Sequence, residues 1–506
     1  MNKHIDARLN EFLLRQTAER PQAIGWHFEQ EGLVSFETMS GIVERYAKWL
    51  AQIGVRGGDR VMLVAENSLQ IVAAALATWQ LHAWIMPVNA RLSAGEIDRL
   101  AQHARPRCVL FTVQVSKEAA QHAERLGAVE GGLMPHVLVA DAGAEPVKAR
   151  AEEQVAALMY TTGTTGSPKG VMLSHANLAW YAAVTRDFRR LSPADRTYCA
   201  LPLTHIYGFA SAFLGSLHAG ARLDVAGRFD PNATLDAIEG GTTVLPAVPA
   251  MYAHLLDAAQ ARGIENLHNK PLRYIMTGGA PLDVDWKRRV ESFFNLPLHN
   301  GYGMTECAPG IASSKNMRIE TSAQDISCGH PLPDLDVRVV PQPGADALND
   351  GVGEIVVKGP NIMLGYFRNA EETSKVMDAD GTFHTGDLGR FDEEGRLHLV
   401  GRCKELIIRS GFNVYPPEVE QAITRHPGVT LSAVVGRAVQ GNEEVIAFVQ
   451  KVPNSDVTES ELQDFLRDDL APYKRPSRIV VADALPASST GKILKSTLLE
   501  AFADRL

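Results

Sequence analysis

Short apolar runs alternate with amphipathic stretches along most of this chain. Residues 60–64 (Arg-Val-Met-Leu-Val) read as a strand, 71–81 as a helix behind Asn67 and Ser68, and 106–111 as the next strand. Two further strand-like runs, 155–159 and 171–173, flank a polar stretch. Such alternation predicts an α/β architecture with parallel sheets. Pro246, Pro249 and the turn Gly278-Gly279-Ala280-Pro281 interrupt apolar runs. They mark loops at strand ends, where α/β proteins place ligands. No period of 20–50 residues recurs, which argues against a solenoid.

The texture changes near residue 400. Asp392-Glu393-Glu394-Gly395 reads as a hairpin turn and leads into Gly401-Arg402-Cys403-Lys404-Glu405. Residues 417–426 then read as a helix with Pro in its first turn, and 431–436 and 445–452 as strands. Thr458-Glu459-Ser460-Glu461 is a capping box for a helix with Leu462, Phe465, Leu466 and Leu470 on one face. The chain is therefore divided into residues 1–401 and a small α+β domain, 402–506, long enough to fold independently.

Composition narrows the field. With 506 residues, 45% hydrophobic and 22% charged, the chain exceeds one ordinary domain and has globular values. A net charge of −9 gives no case for nucleic-acid binding. The five cysteines are scattered and form no CxxC pair, so neither a disulfide framework nor a zinc site is suggested. The N-terminus lacks a signal-peptide core, and the most apolar run, 71–79, is too short to span a bilayer. A cytoplasmic protein is expected, monomeric or homodimeric, with peripheral membrane contact left open.

The most informative segment is Tyr160-Thr161-Thr162-Gly163-Thr164-Thr165-Gly166-Ser167-Pro168-Lys169-Gly170. Its glycines let backbone fold around an anion, its hydroxyls and amides donate to anion oxygens, and Lys169 adds a compact positive charge. A polyphosphate is the obvious ligand. A plain polar surface loop has a similar composition, and a Walker loop is ruled out because Ser-Pro-Lys follows Gly166. Asn300-Gly301-Tyr302-Gly303-Met304-Thr305-Glu306 is a second signature. There Tyr302 can stack on a purine, Thr305 can bond a phosphate and Glu306 can hold Mg²⁺. Thr385-Gly386-Asp387 supplies a carboxylate with acceptor geometry for a diol, though an Asp in a Gly turn is usually only a turn residue. Gly401-Arg402-Cys403-Lys404, Ser410-Gly411-Phe412, Ser489-Thr490-Gly491-Lys492 and Leu203-Thr204-His205-Ile206-Tyr207 complete the set. Taken singly, each also reads as an ordinary turn, surface loop or core histidine.

Together, in this order and at these separations from Tyr160 to Lys492, the motifs resemble those of the adenylate-forming superfamily. That superfamily includes acyl-CoA synthetases, aryl-CoA ligases and peptide-synthetase adenylation domains. The resemblance implies a large N-terminal domain and a small mobile C-terminal domain hinged near Lys404. It implies ATP and coenzyme A as substrates and Mg²⁺ as cofactor. Thr161, Thr162, Gly163, Thr164, Thr165, Gly166 and Lys169 would contact the phosphates. Gly279, Ala280, Asn300, Gly301, Tyr302, Gly303 and Thr305 would surround the nucleotide, with Glu306 on the metal. Asp387 and Arg402 would reach the ribose. By the same resemblance, Lys492 contacts carboxylate and α-phosphate oxygens during adenylation and offsets charge as pyrophosphate departs. Gly411 and Phe412 border the pantetheine channel in a second conformation. His205, Tyr207, Phe209, Gly301 and Gly310 line the acyl pocket.

The implied reaction joins a carboxylic acid to AMP and then to the CoA thiol. Amino-acid substrates are disfavoured, because residues 206–213 contain no acid where amino-acid-activating domains of the superfamily place an Asp. A dicarboxylate is disfavoured, because Gly301 and His254 stand where malonyl-CoA synthetases carry arginines. Small residues at Gly301, Ala308, Gly310 and Ala312 leave room for an extended chain. The expectation is a medium- to long-chain fatty acid, with an aryl or arylpropenoic acid of benzoate or coumarate type as the alternative. The presence of Lys492, Glu306 and Asp387 argues against a catalytically silent nucleotide-binding protein.

Overall fold

The computed structural model describes residues 8–140, 142–162, 168–279, 282–315, 326–341, 351–409, 412–439, 442–467, 469–487 and 493–506. The chain forms two compact units, residues 1–337 with 357–383, and residues 338–356 with 384–506. The sequence boundary near Arg402 falls inside the second unit. The strand Leu397–Arg402 closes a four-stranded sheet that also contains Gly353–Lys358 and Phe383–Phe391. Most of that sheet groups with residues 403–506 rather than with the first unit.

The first unit holds two large sheets. A six-stranded sheet runs His136–Leu138, Cys108–Phe111, Arg60–Ala65, Trp84–Asn89, Val155–Thr162, Pro168–Ser174. Its inner pairings are parallel and its two outer ones antiparallel. A nine-stranded sheet runs His330–Pro331, Gly310–Ser313, Leu298–Gly303, Tyr274–Gly278, Val244–Pro246, Arg196–Cys199, Arg222–Val225, Ile24–Phe28, Gly32–Ser35. It too is parallel inside and antiparallel at the edges.

The apolar run of the sequence forms the helix Leu69–Gln80, whose residues from Leu69 to Trp79 are all buried. A helix apolar on every face belongs inside the protein. Trp79 Nε1 donates to the Ala156 carbonyl at 2.9 Å, so its one polar atom is satisfied. Pro249 opens the helix Pro249–Ala261 as its first residue, where its missing N–H costs nothing. Among the described residues no helix is long and apolar enough to cross a membrane.

The helix His175–Arg189 begins at a capping box of Ser174 and Asn177. Asn177 also donates to the Pro360 and Ile362 carbonyls, at 2.7 and 3.0 Å, and so fixes where the segment 360–367 lies.

In the second unit the strands Val429–Val439, Asn442–Lys451 and Arg478–Ala482 form one sheet, packed on the helix Pro416–Thr424. One expectation is corrected here. The helix after Thr458 spans only Glu459–Phe465. Leu462, Leu466 and Leu470 are buried, whereas Phe465 is exposed and meets the His426 ring edge-on at 5.0 Å. The apolar face continues beyond the helix as irregular chain, which periodicity alone does not distinguish.

His175 is fully buried; its Nδ1 accepts from the Leu9 N–H at 3.2 Å, and its Nε2 has no partner among the described residues. Burial, with smaller repulsion from Arg8 and His82, pushes its pKa down to about 3. The native protein thus keeps this ring neutral, while the unfolded chain takes up a proton near pH ~6.5. Stability therefore falls as pH drops below that value, by about 1.4 kcal/mol per unit for this group. The loss continues until the native ring protonates. In His175→Gln, thermal melting between pH 4 and 7 is expected to show a shallower decline than in the parent. An unchanged slope would assign the acid sensitivity to other groups.

Candidate active site

The strands Val155–Thr162 and Pro168–Ser174 form a hairpin with Thr161 opposite Lys169. The tip, with Gly163, Thr164, Thr165 and Gly166, lies outside the described residues, and so does the side chain of Thr162. A third segment lies along the hairpin. Leu364 N–H donates to the Met172 carbonyl (2.9 Å), Met172 N–H to Gly365 (3.0 Å) and Phe367 N–H to Gly170 (2.7 Å). These bonds set Tyr366 beside Lys169, whose ammonium sits 5.0 Å from the centre of its ring. Lys169 also pairs with Glu372 at 2.5 Å. Hydrogen bonds from Lys169 and then Lys375 hold the Glu372 carboxyl down to about 2.

Glu306 sits on the short 3₁₀ turn Thr305–Cys307. Its Oε1 accepts from the Tyr366 hydroxyl at 2.9 Å and its carbonyl from the Met363 N–H at 2.9 Å. Burial, then the charge and hydrogen bond of Glu306, raise the Tyr366 phenol far above its ordinary pKa, so it remains a donor. Lys169, Tyr366 and Glu306 thus form one cluster. The sequence pointed to its two ends but not to Tyr366, which lies in an unremarkable Gly-Tyr-Phe stretch with no periodic signal.

The strand Leu298–Gly303 runs parallel to Tyr274–Gly278, with Gly301 beside Gly278. A side chain at Gly303 would collide with the Pro309 carbonyl, so only glycine fits. Gly279 has φ +83° with open space around it. Tyr302 is buried. Asn300 spends its amide on the Ser327 carbonyl at 3.2 Å, and Ser314 Oγ accepts its backbone N–H at 2.7 Å. Asn300 therefore braces the strand. Ala280 is outside the described residues.

His205 stands just before a π-helical turn, Tyr207–Leu214. Its Nδ1 accepts from the Tyr207 N–H at 3.3 Å, which leaves the proton of the neutral ring on Nε2. The residue keeps solvent access, but surrounding protein strips away enough water to push its pKa below the ordinary value. Tyr207 packs against the cluster of Leu191, Val244, Tyr274 and Met276.

Phe209 does not join it. It is fully buried, edge-on to Trp79 (5.9 Å) and Phe213 (5.6 Å), so the expectation that it lines the acyl pocket is corrected. Residues two apart on such a turn point to different sides.

The small residues are also not open walls. A Cβ at Gly301 would stand 2.9 Å from Met276 Cε, and one at Gly310 would run into the Tyr181 ring. Tyr181 and Met276 occupy the space that the glycines give up. Neither was apparent from spacing, because each lies on an element far away in sequence.

Within the second unit, Asp387 and Arg402 are cross-strand partners, with Arg402 Nε 3.1 Å from Asp387 Oδ1. Thr385 Oγ1 accepts from the Asp387 N–H at 3.1 Å and donates to the Ile355 carbonyl at 2.7 Å. Gly386, at φ +71°, turns its N–H onto Glu354 at 3.0 Å. These bonds fix the backbone that carries the Asp387 carboxylate. Lys404 is exposed immediately after this sheet. Phe412 is 52% exposed and stacks on Tyr473 at 4.7 Å. Gly411 and Lys492 lie outside the described residues.

Among the described residues no group of three or more His, Cys, Asp or Glu could hold a metal ion. Glu306 alone still fits Mg²⁺, which characteristically takes one or two carboxylates and completes its shell with phosphate and water.

Two family descriptions cover most of the chain: AMP-binding enzyme over residues 13–367 and AMP-binding enzyme C-terminal domain over residues 418–492. A feruloyl-CoA synthase from Amycolatopsis sp is 34% identical over 476 residues, 93% of this chain and 94% of the relative. ATP-bound MatB from Rhodopseudomonas palustris superposes with a TM-score of 0.83 at 30% identity, over 98% of this chain and 99% of that one. The O-succinylbenzoate coenzyme A synthetase MenE from Bacillus subtilis, in complex with ATP and magnesium ion, gives a TM-score of 0.82 at 28% identity, over 96% of this chain and 98% of that one. The chain belongs to the AMP-binding enzyme family, the adenylate-forming superfamily. Within it, the protein is an AMP-forming acid–CoA ligase.

Tyr366→Phe removes only the hydroxyl that orients Glu306. A hydrogen bond to a charged acceptor contributes about 1.5–3 kcal/mol, so half-saturating Mg²⁺ in an AMP-release assay is expected to rise about tenfold. An unaltered Mg²⁺ titration would show that Glu306 needs no orientation from Tyr366.

Proposed function

We propose that the acid is aromatic, of the benzoate or arylpropenoate type, rather than a long-chain fatty acid. The observation that carries this reading is the filling of the glycine walls. Met276 backs Gly301 and Tyr181 backs Gly310, so bulky side chains rather than open space stand beside these glycines, which favours a compact ring over an extended chain. Two relatives support it: one is a feruloyl-CoA synthase and another an O-succinylbenzoate coenzyme A synthetase. Aromatic acids suit such a slot because rings bury large apolar area with few rotamers to freeze.

In this reading a carboxylate oxygen of the acid attacks the α-phosphorus of ATP, and pyrophosphate leaves. The CoA thiol then attacks the acyl-AMP carbonyl, and AMP leaves. Both reactants of the first step are anions, so the protein's task is mainly charge placement. Lys169 exchanges Glu372 for phosphate oxygens. Glu306, held by Tyr366, presents its carboxylate to the metal. Mg²⁺, when bound, neutralises phosphate charge. His205, neutral and with its proton on Nε2, donates to the acid and orients it. Asp387 accepts from the ribose hydroxyls, with Arg402 beside it. Lys492 stabilises charge in adenylation, and Gly411 leaves space for pantetheine after rotation about Lys404.

CoA- and acid-dependent AMP release across benzoates, cinnamates, saturated fatty acids and malonate tests the acid class. Cinnamates or benzoates are expected to give stoichiometric thioester at kcat/KM at least about tenfold above any fatty acid. The reverse order would restore the fatty-acid reading.

Two variants test the division of labour. Lys492→Ala is expected to lose ATP-dependent adenylation yet still convert supplied acyl-AMP and CoA to thioester. Gly411→Leu is expected to do the opposite. Equal loss of both half-reactions in either variant rejects that residue's assignment.

A further inference from the structure

Arg189, at the end of the helix His175–Arg189, is 3% exposed. A guanidinium stays charged at any physiological pH, and arginines are almost never fully buried unless paired. The other buried arginine among the described residues follows that rule: Arg60, 1% exposed, has Glu145 at 3.7 Å.

Arg189 has no carboxylate partner among the described residues. Its Nη1 donates to the Ser211 carbonyl at 3.1 Å, and its Nη2 reaches Ser211 Oγ and, at 3.0 Å, the Met276 sulfur. Its charge lies 6.0 Å from the centre of the Tyr274 ring. A thioether is a weak acceptor for a buried cation. Nearby, the Tyr207 hydroxyl is buried and has no hydrogen-bond partner among the described residues. Ser211 and Tyr207 share the π-helical turn that follows His205. Met276 is also the side chain that backs Gly301. Arg189 therefore lies one flexible side chain behind the acyl slot.

We propose that Arg189, with the hydroxyls of Ser211 and Tyr207, forms a subsite for a second carboxylate, at the end of the acid remote from the reacting group. An anion there would supply the missing counter-charge, take a forked hydrogen bond from the guanidinium and accept from Tyr207. Met276, unbranched and adaptable, would move aside to admit it. The expectation that the missing arginine near Gly301 disfavours a dicarboxylate is thereby reversed, with the cation supplied from a different helix. The inference rests on reading the Tyr207–Gly301 region as the acyl slot.

The test compares cinnamate with 4-carboxycinnamate, and pimelate with heptanoate, as substrates for AMP release. It uses the parent enzyme and Arg189→Met, an apolar replacement of similar length. The parent is expected to prefer each diacid over its monoacid. In the variant the diacid-to-monoacid ratio of kcat/KM is expected to fall about 100-fold, through KM of the diacid. A parent that prefers the monoacids, or a variant that loses both members of a pair equally, would overturn the subsite. Arg189→Lys is the second variant, should Arg189→Met fold poorly. It keeps the charge but not the fork, so a raised diacid KM at little-changed kcat is expected, and an unchanged KM counts against the subsite. Arg189-dependent preference confined to the aliphatic pair would uphold the subsite and reject the aromatic reading. Cinnamate turnover with an unaffected ratio would do the reverse.

Discussion

The site depends on one short set of backbone hydrogen bonds, those between the strand Pro168–Ser174 and the segment 363–367. Through them the residues proposed to meet the phosphates and the metal are placed by main chain, not by flexible side chains. Lys169 is on one side of the pairing and Tyr366 on the other, and Tyr366 in turn reaches Glu306. Asn177, at a helix cap, holds the near end of the same segment. Capping box, strand pairing and carboxylate orientation thus form a continuous chain of bonds, and geometry of this kind is what preorganised electrostatic catalysis needs.

The acidic net charge sharpens that requirement. A protein of charge −9 that handles ATP must supply positive charge locally. It also has to keep its cations from binding too firmly to its own carboxylates. Lys169 shows the compromise: its partner Glu372 is a partly exposed residue on a separate short helix, held also by Lys375, so the carboxylate keeps a cation when Lys169 turns to another anion. The pair keeps the ammonium in place beside Tyr366. Asp387 and Arg402 form a comparable pair in the second unit, where the Asp387 backbone is fixed through Thr385 while the arginine stays exposed.

Much of this was legible in the sequence, for a physical reason. Phosphate loops, strand-end glycines and helix caps are local features, and their chemistry is written in consecutive residues. The hairpin flanking 163–167 and the helix Leu69–Gln80 were accessible that way, whereas the Asp387–Arg402 pairing across two strands was not read from the sequence. Tyr366 was not, because its role comes from a strand nearly 200 positions earlier. Nor was the fate of Phe209. From sequence, Tyr207 and Phe209 look like neighbours on one apolar segment. In the π-helical turn they diverge, one toward Met276 and the other toward Trp79. The small residues misled in the same way. A glycine in sequence suggests space, but whether that space stays empty is decided by whatever packs opposite, here Met276 and Tyr181.

That last point bears on how acid specificity arises in this fold. Wall residues such as Gly301 and Gly310 set only how closely a neighbour approaches; the neighbour sets the shape. An apolar wall discriminates modestly between acids of different length, whereas a buried polar group discriminates strongly against a ligand that leaves it unpaired. The lining around Tyr207 contains both kinds of group: aromatic and thioether surfaces, and behind them a guanidinium with no carboxylate among the described residues. In the proposed reading the apolar part accepts a ring. The buried charge is the stronger selector, because every acid that reaches it either compensates it or leaves it as it is. In that reading specificity is set less by the motif residues shared across the family than by side chains one layer behind them.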